Sequence, residues 1–302
     1  MHKIIDPKVS VVIPTYNRAK DIPRCLDSLI AQTFKNFEVI ICDDGSIDNT
    51  VEIVDSYMPY LDIIYSHDIN FGGPARPRNR GIQLSRAPYI AFLDSDDWWH
   101  PLKLSESLEA AERENADVIY HDLYFARRPK QKFYFRREKS RAVKAPVYDD
   151  LLSYGNALQN SSVMVKKSVL EKAGNISEEL DKISWEDFDC WLNISKFTER
   201  FYYLPKTLGF YWVGGGNITN PKRTRLNFEA LSRYHISKHF NKPPFWFLYR
   251  YGKTLFSCGE YELSVKNLGE ANSCKTSLFN QAKCRIAYFS ASMTLTWKSL
   301  YK

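Results

Sequence analysis

Tyr89-Ile90-Ala91-Phe92-Leu93-Asp94-Ser95-Asp96-Asp97 is an apolar run that breaks into three carboxylates within four residues, and its reading decides the fold. A strand that releases several carboxylates at its carboxyl end makes a site for a hard divalent cation, because carboxylate oxygens suit Mg²⁺ or Mn²⁺ and phosphate oxygens complete the octahedron. Such a site points to a metal-bound diphosphate. Taken alone, an Asp-rich strand end is more often a solvated turn or a helix cap, so the order of the motifs around it decides.

Upstream, Val9-Ser10-Val11-Val12-Ile13 is a β-rich run that delivers Pro14-Thr15-Tyr16-Asn17-Arg18 into a loop. Ile22, Cys25, Leu26, Leu29 and Ile30 then recur at helical spacing. Phe37-Glu38-Val39-Ile40-Ile41-Cys42 predicts a strand ending in Asp43-Asp44-Gly45-Ser46, Val51, Ile53, Val54 and Tyr57 a helix, and Leu61 to Tyr65 a short strand. The alternation implies βαβ units, a parallel sheet and right-handed crossovers, and ligands of such sheets bind at the carboxyl ends of the strands. Each motif named so far sits at such an end.

Together these residues resemble a known family, the inverting family 2 glycosyltransferases of the GT-A fold. The resemblance runs from about Val9 to about Trp212 and rests on five motifs in the family's order: Val-Ile-Pro-Thr-Tyr-Asn-Arg at 12–18, Asp-Asp-Gly-Ser at 43–46, Asn79-Arg80-Gly81-Ile82, Leu-Asp-Ser-Asp-Asp at 93–97 and Trp185-Glu186-Asp187. It implies an α/β chain with a Rossmann-like, mostly parallel central sheet and flanking helices. It also implies inverting transfer of a sugar from a nucleotide sugar, UDP-linked before GDP- or TDP-linked, to an acceptor hydroxyl.

A nucleotide-sugar donor asks the protein to hold a flat base, a ribose, a diphosphate and a sugar, and to stabilise the diphosphate as it leaves. Tyr16 offers the base an aromatic face or edge, and the resemblance assigns Asp44 to the imide N–H of a uracil, while Asp43 reads equally as a strand-end cap or as part of the same donor-facing motif. Gly45 permits the sharp turn that follows. Pro14, Asn17 and Ser95 belong to the same donor-facing motifs. Arg78 and Asn79, expected in a loop leading into a helix, suit phosphate or ribose oxygens. The family commonly has Ala-Arg-Asn, whereas Pro77 follows Arg76 here, which leaves Arg76, Arg78 and Arg80 open as the donor-facing arginine. By resemblance Asp94 lies near the ribose and Asp96 on Mn²⁺ or Mg²⁺, a cation that offsets charge on the leaving diphosphate. Asp97 is expected to cap the next helix, and Trp98 and Trp99 to be packing residues or a wall for the sugar. One carboxylate must take the acceptor proton. The resemblance assigns this to Asp187, with Glu186 orienting the loop or touching the sugar and Asp189 facing solvent. Without the resemblance, Glu186 and Asp187 would read as a dipole-favourable first turn.

The 302 residues, 44% hydrophobic and 25% charged, can bury a substantial core and suggest one large domain plus an appendage. The six cysteines form no Cys-x-x-Cys pair and read as reduced core thiols. Met1-His2-Lys3-Ile4-Ile5-Asp6-Pro7 is too short and too soon charged for a signal peptide, and no apolar run nears the ~18 residues of a membrane span. A cytoplasmic chain is expected. Residues 222–302 hold fourteen Lys or Arg against four Glu, which leaves −3 for residues 1–221 out of the chain's +7. The sign changes beside the flexible Gly214-Gly215-Gly216-Asn217, predicting a catalytic domain over 1–221 and a helical region over 222–302.

That second region is aromatic as well as basic, with Phe245-Trp246-Phe247-Leu248-Tyr249 ahead of Arg250, Tyr251 and Lys253. It fits an anionic membrane surface or nucleic acid, unless its aromatics are the core of a small helical subdomain. A nucleotide-sugar site in the same chain makes nucleic acid the poorer partner. Arg127 to Lys144, with nine Lys or Arg and one Glu, predicts a hairpin or long loop after the strand Val118-Ile119-Tyr120. It serves as a charge-blunted edge or as a cradle for a phosphorylated acceptor.

Competing chemistries lack their residues. His235 and His239 have no Glu in a His-Glu-x-x-His pattern and read as a surface helix, and neither a dinucleotide Gly fingerprint nor a P-loop occurs. Asn217-Ile218-Thr219 matches a glycosylation acceptor that a cytosolic chain would not use. Processive members of the resembled family carry membrane helices and a Gln-x-x-Arg-Trp motif, both absent, so one sugar per acceptor is expected. The implied acceptor is a glycan or lipid-linked glycan of a cell-surface polysaccharide, built at the cytoplasmic face of the membrane. Two other readings stay open: a non-catalytic scaffold that binds a nucleotide sugar or glycan, and a nucleotidyltransferase. The first would have lost Asp96 or Asp187, and the second usually has a Gly-rich basic loop where Pro14-Thr15-Tyr16-Asn17 stands.

Overall fold

Seven buried residues in a row, Val-Ser-Val-Val-Ile-Pro-Thr, make β1 (Val9–Thr15), a strand covered on both faces as parallel strands are. The computed structural model describes residues 4–128, 131, 133–215 and 220–300; Lys132 and the stretch Gly216 to Thr219, with the end of the glycine run and the Asn217-Ile218-Thr219 pattern, lie outside the described residues. After β1 come α1 (Ile22–Ile30), which turns Ile22, Cys25, Leu26 and Leu29 inward, β2 (Phe37–Asp43), α2 (Thr50–Tyr57), β3 (Ile63–His67) and α3 (Ala75–Leu84). Next are β4 (Tyr89–Phe92), β5 (Trp98–Trp99), α4 (Lys103–Arg113), β6 (Val118–Ala126) and β7 (Arg137–Glu138). Then follow α5 (Val147–Tyr154), β8 (Met164–Lys166), α6 (Lys167–Lys172), α7 (Glu186–Ile194) and β9 (Phe201–Trp212).

The chain forms two compact units, Met1–Tyr148 with Ala157–Gly216, and Asp149–Asn156 with Asn217–Lys302. The segment 149–156, which the composition break places in the first domain, groups with the second unit for a visible reason. Trp246 donates its Nε1–H to the Leu152 carbonyl at 2.8 Å, and a Cβ on Gly155 would lie 3.1 Å from that indole.

In the first unit nine strands form one sheet in the order β3-β2-β1-β4-β8-β6-β9-β5, with β7 paired to β6. β3, β2, β1 and β4 run parallel, as the alternation predicts. β8 is antiparallel to both β4 and β6, β9 is parallel to β6, and the short β5 and β7 add antiparallel, so the sheet is mixed beyond its parallel half. Thr15 pairs with Asp43, and Val12 with Phe92. The loops that carry Tyr16, Asp44 and Asp94 therefore leave the sheet at one edge, the edge where such sheets bind ligands. Of the basic stretch, Arg137 and Glu138 pair antiparallel with β6, Leu123 opposite Glu138 and Tyr124 opposite Arg137.

One element starts earlier than expected. α3 begins at Ala75, so Arg76, Arg78 and Asn79 are helical rather than in a loop. Pro77 is tolerated there because the first turn of a helix has no intrahelical acceptors for its amides.

The second unit holds α8 (Pro221–Leu231), which runs through a wide π turn at Ser232–Ile236 into α9 (Ser237–His239), then α10 (Phe245–Ser257), α11 (Tyr261–Asn272) and α12 (Leu278–Leu300). Leu248, Leu268, Ala271, Cys284 and Ala291 form its core, with Phe245 and Tyr249 packed against them. In the aromatic run of α10 Phe247 and Leu248 are thus buried and the other three are half-buried, and His235, expected on a surface, is buried too. All six cysteines are free thiols and four are buried. Among the described residues no helix is long and apolar enough to cross a membrane.

α3 lies on β1 so closely that a Cβ on Gly81 would come within 2.4 Å of Val12 Cγ1. Gly81→Ala is expected to cost about 1–3 kcal/mol through overpacking, read as a lower urea midpoint at unchanged slope. A midpoint equal to the parent's would mean that α3 moves off β1 at little cost.

Candidate active site

Arg78 is the point on which the site's elements converge. Helical periodicity puts Arg76 and Arg80, four residues apart, on one face of α3 and Arg78 on the opposite one. Arg76 pairs with Glu178 over Phe71, and Arg80 with Asp68, both near solvent. Arg78 points inward with its side chain 4% exposed, donating from Nη1 to Glu186 Oε1 at 2.6 Å and from Nη2 to Asp94 Oδ1 at 2.7 Å. Burial works against its charge, yet Asp94 and Glu186 hold its pKa above the ordinary value. Its Nε–H has no hydrogen-bond partner among the described residues. One guanidinium therefore joins the end of β4 to the start of α7 and keeps a donor in reserve.

Beyond β4 the acidic cluster turns back on itself, with Asp97 N–H bonded to the Asp94 carbonyl at 3.0 Å. Asp94 is further held by Asn160 Nδ2 at 3.0 Å and by Ser161, whose Oγ accepts its amide at 3.1 Å. Asp96 lies 3.3 Å from Arg18, and burial together with the Asp94 charge pushes its carboxyl up to about 6. Asp97 does not cap a helix as expected. It is 1% exposed and accepts the Trp212 amide at 2.8 Å, tying the cluster to the end of β9, and burial raises its pKa well above the usual range. Trp98 lies between Phe210, stacked at 5.1 Å, and the Arg24 guanidinium, 4.1 Å from its ring, so both faces are occupied and only an edge remains for a sugar. Trp99 is interior, its Nε1–H donating to the Ser161 carbonyl at 2.7 Å. Ser95 is buried beside them.

The fit to a divalent cation follows from this donor set. Asp94 is paired with Arg78 and Asp96 with Arg18, whereas among the described residues Asp97 has no ion pair, so the cluster carries three carboxylates against two guanidiniums. Among the described residues no group of three or more His, Cys, Asp or Glu is arranged around a metal position. Asp96 would therefore give the protein's carboxylate and a bound diphosphate most of the remaining oxygens, a usual arrangement for Mg²⁺.

Several residues expected to face a donor also fasten loops. Asp44 accepts the amides of Phe71 at 2.9 Å and Gly72 at 3.1 Å, and burial raises its pKa against those bonds. Asn17, at φ 50°, donates its amide to Ser46 Oγ at 2.8 Å and accepts from Ile47 at 2.9 Å, locking the β1 loop to the β2 loop. Asn79 bonds both backbone groups of Ile176 through its side-chain amide, at 2.8 and 3.0 Å, and so holds the loop before α7. Asp43 closes its own turn, accepting from Ser46 at 2.7 Å and from Tyr65. Gly45, at φ 86°, could not be replaced easily, because a Cβ would lie 2.9 Å from the Asn70 amide. Pro14 is buried in β1, while Tyr16 is 47% exposed at the edge.

Glu186 is fixed twice, by Arg78 and by the Ser184 amide at 2.6 Å. Its neighbour Asp187, in the first turn of α7, keeps part of its surface open and accepts the N–H of the next residue, Phe188, at 2.7 Å. Burial and the adjacent Glu186 charge lift its carboxyl to about 7. A carboxylate poised there suits proton abstraction at neutral pH. Asp189, expected in solvent, is 1% exposed and pairs with Lys182 at 3.2 Å. The residues missed by sequence are Arg18, Arg24, Asn160 and Ser161. Arg18 stands inside a quoted motif, but Asn160 and Ser161, in a short 3₁₀ turn ahead of β8, carry no local signal.

The chain matches the family description Glycosyl transferase family 2 over residues 10–172. It is 30% identical over 219 residues, 72% of this chain and 82% of the relative, to the UDP-Glc:alpha-D-GlcNAc-diphosphoundecaprenol beta-1,3-glucosyltransferase WfaP of Escherichia coli. Among solved structures, S. aureus TarS 1-349 in complex with UDP-GlcNAc aligns at a TM-score of 0.63 and 20% identity, over 94% of this chain and 89% of that one. The mannosyltransferase PcManGT of Pyrobaculum calidifontis, in complex with GDP-Man and Mn²⁺, aligns at 0.59 and 17%, over 98% and 84%. At such identities these two structures speak for the fold.

Arg78→Gln leaves Glu186 buried without its counter-charge and is expected to lower the unfolding free energy by about 3–5 kcal/mol. Urea titration of the variant reads this directly. An unchanged midpoint would mean that Glu186 takes a proton or rotates out to water.

Proposed function

The chain belongs to glycosyl transferase family 2 and is a glycosyltransferase, and we propose that it moves one sugar from a UDP-sugar to a hydroxyl of a lipid-linked glycan, inverting the anomeric centre. The observation that carries this reading is the meeting of Arg78, Asp94, Glu186 and Asp187 at one sheet edge. The relative whose name specifies a UDP-glucose donor and a diphosphoundecaprenol acceptor supports the substrate class, as does the UDP-GlcNAc held by a protein of the same fold. A cell-surface polysaccharide is the product such an acceptor leads to, and the cytoplasmic face of the membrane is where it would be met.

In this reading Tyr16 lies against the base, the Arg78 Nε–H donates to an oxygen of the nucleotide sugar beside Asp94, and the Asn160 Oδ1, which has no partner among the described residues, accepts from one of its hydroxyls. Asp96 would hold Mn²⁺ or Mg²⁺, which supplies positive charge toward the leaving diphosphate. The Asp187 carboxylate takes the proton of the acceptor hydroxyl as its oxygen bonds to the anomeric carbon. The bond from that carbon to the diphosphate oxygen breaks, the nucleoside diphosphate departs with the electron pair, and Asp187 later releases its proton to water. Glu186, fixed by Arg78 and Ser184, sets the position of Asp187.

Asp187→Asn is expected to keep donor affinity and lose transfer by ~10²-fold or more. A base works deprotonated, so with its carboxyl lifted to about 7, kcat/KM of the parent should fall as pH drops through about 7. If donor binding collapses in proportion to transfer, Asp187 is a donor ligand and the base lies elsewhere. Asp96→Asn is expected to abolish turnover that the parent shows only with Mn²⁺ or Mg²⁺. Parent activity indifferent to chelator would remove the metal from the reading, and failure to hydrolyse any of a panel of nucleotide sugars would favour a binding scaffold.

A further inference from the structure

α12 packs inward through Cys284 and Ala291, both fully buried, yet a second apolar stripe faces out. Phe279, Ile286, Phe289, Met293 and Trp297 are 67%, 72%, 66%, 58% and 60% exposed. Their spacing of seven, three, four and four residues keeps them on one side of the helix, over about 27 Å at 1.5 Å per residue. Single exposed apolar side chains are ordinary, but a continuous stripe of five is a surface that meets something.

The charge of this stretch selects the partner. Residues 271–302 contain five Lys or Arg and no Asp or Glu. Lys283 lays its stem along the stripe, its Nζ 4.1 Å from the Phe279 ring, and Lys298 sits 4.6 Å over Tyr261. Two copies of this face brought together about a twofold axis would set like charges against each other. A layer of anionic headgroups neutralises them while the acyl boundary takes the rings, and Trp at one end is a residue such boundaries favour.

We propose that the outward face of α12 lies in the interface of an anionic lipid bilayer, with Phe279, Ile286, Phe289, Met293 and Trp297 below the headgroups and Lys283 and Arg285, which flank the stripe, among them. The aromatic run of α10, which by sequence fits either such a surface or a helical core, has Phe247 and Leu248 buried and Phe245 and Tyr249 packed against the unit's core. The inference rests on the lipid-linked acceptor for its purpose, while its test requires no activity.

The full chain is to be sedimented with vesicles of phosphatidylcholine alone and with added phosphatidylglycerol, at low and high salt. Binding to the anionic vesicles, weakened by salt, is expected. Each basic residue at such a surface contributes a factor of about five, and Ile286→Glu with Phe289→Glu should cut the bound fraction ~10-fold or more. That variant should keep its urea midpoint and its nucleotide-sugar hydrolysis. Brominated lipid should quench the parent more than Trp297→Phe, which reads insertion even if the double variant is unstable. Negligible sedimentation of the parent, equal sedimentation of parent and variant, or equal quenching of parent and Trp297→Phe would overturn the proposal. So would self-association of the parent in the ultracentrifuge that the variant abolishes, since a second copy would then own the face. Lipid binding with no hydrolysis of any donor would instead sink the proposed reaction and leave this inference standing.

Discussion

A buried arginine held between two carboxylates is costly to assemble and more costly to break, because each charge has left water and depends on the others for compensation. Arg78 stands in that position, with Asp94 from the end of β4 on one side and Glu186 from the start of α7 on the other. The close approach of α3 to β1 at Gly81 brings the guanidinium to the sheet edge. Much of the rest depends on it. Asp94 opens the acidic cluster, and Glu186 sits immediately before the carboxyl whose proton affinity is raised toward neutrality. Donor side and acceptor side of the proposed reaction are thus coupled through one side chain.

The loops around that centre are secured by polar residues that a motif reading assigns to ligand. Asp44, Asn17 and Asn79 each make two or more hydrogen bonds to loop backbone or to side chains that fix it. A site built at strand ends has to satisfy the amides of the irregular chain that leaves the sheet, and short polar side chains do so locally. Preorganisation and ligand contact draw on the same residue types, and Asp44 retains lone pairs for both.

The second unit has a different economy of apolar surface. α10, α11 and α12 share a small core in which Gly252 lets α10 and α11 approach so closely that a Cβ would sit 2.7 Å from Leu268 Cγ. That close packing is satisfied by one side of α12. Its other side stays uncovered within the unit, and the absence of acidic residues over 271–302 gives that uncovered side a sign as well as a character.

The alternation of apolar runs and helical spacing by itself determined the βαβ order and the shared edge of Tyr16, Asp44 and Asp94, since period and run length are local properties of the chain. The motif order likewise determined the family. Tertiary structure decided what depends on which side of an element meets which neighbour. Three arginines at 76, 78 and 80 are equivalent in a list of residues, and only a helix starting at Ala75 separates the middle one from the other two. Asp97 reads as a helix cap and Asp189 as a solvent-facing residue, yet one receives the Trp212 amide and the other Lys182, from partners distant in the chain or beyond a turn. Asn160 has no local signal because its role is to meet Asp94, 66 residues earlier. The apolar residues of α10 and α12 look alike in sequence, and burial alone distinguishes them: Phe247 and Leu248 found neighbours to exclude water, while Ile286 and Phe289 did not.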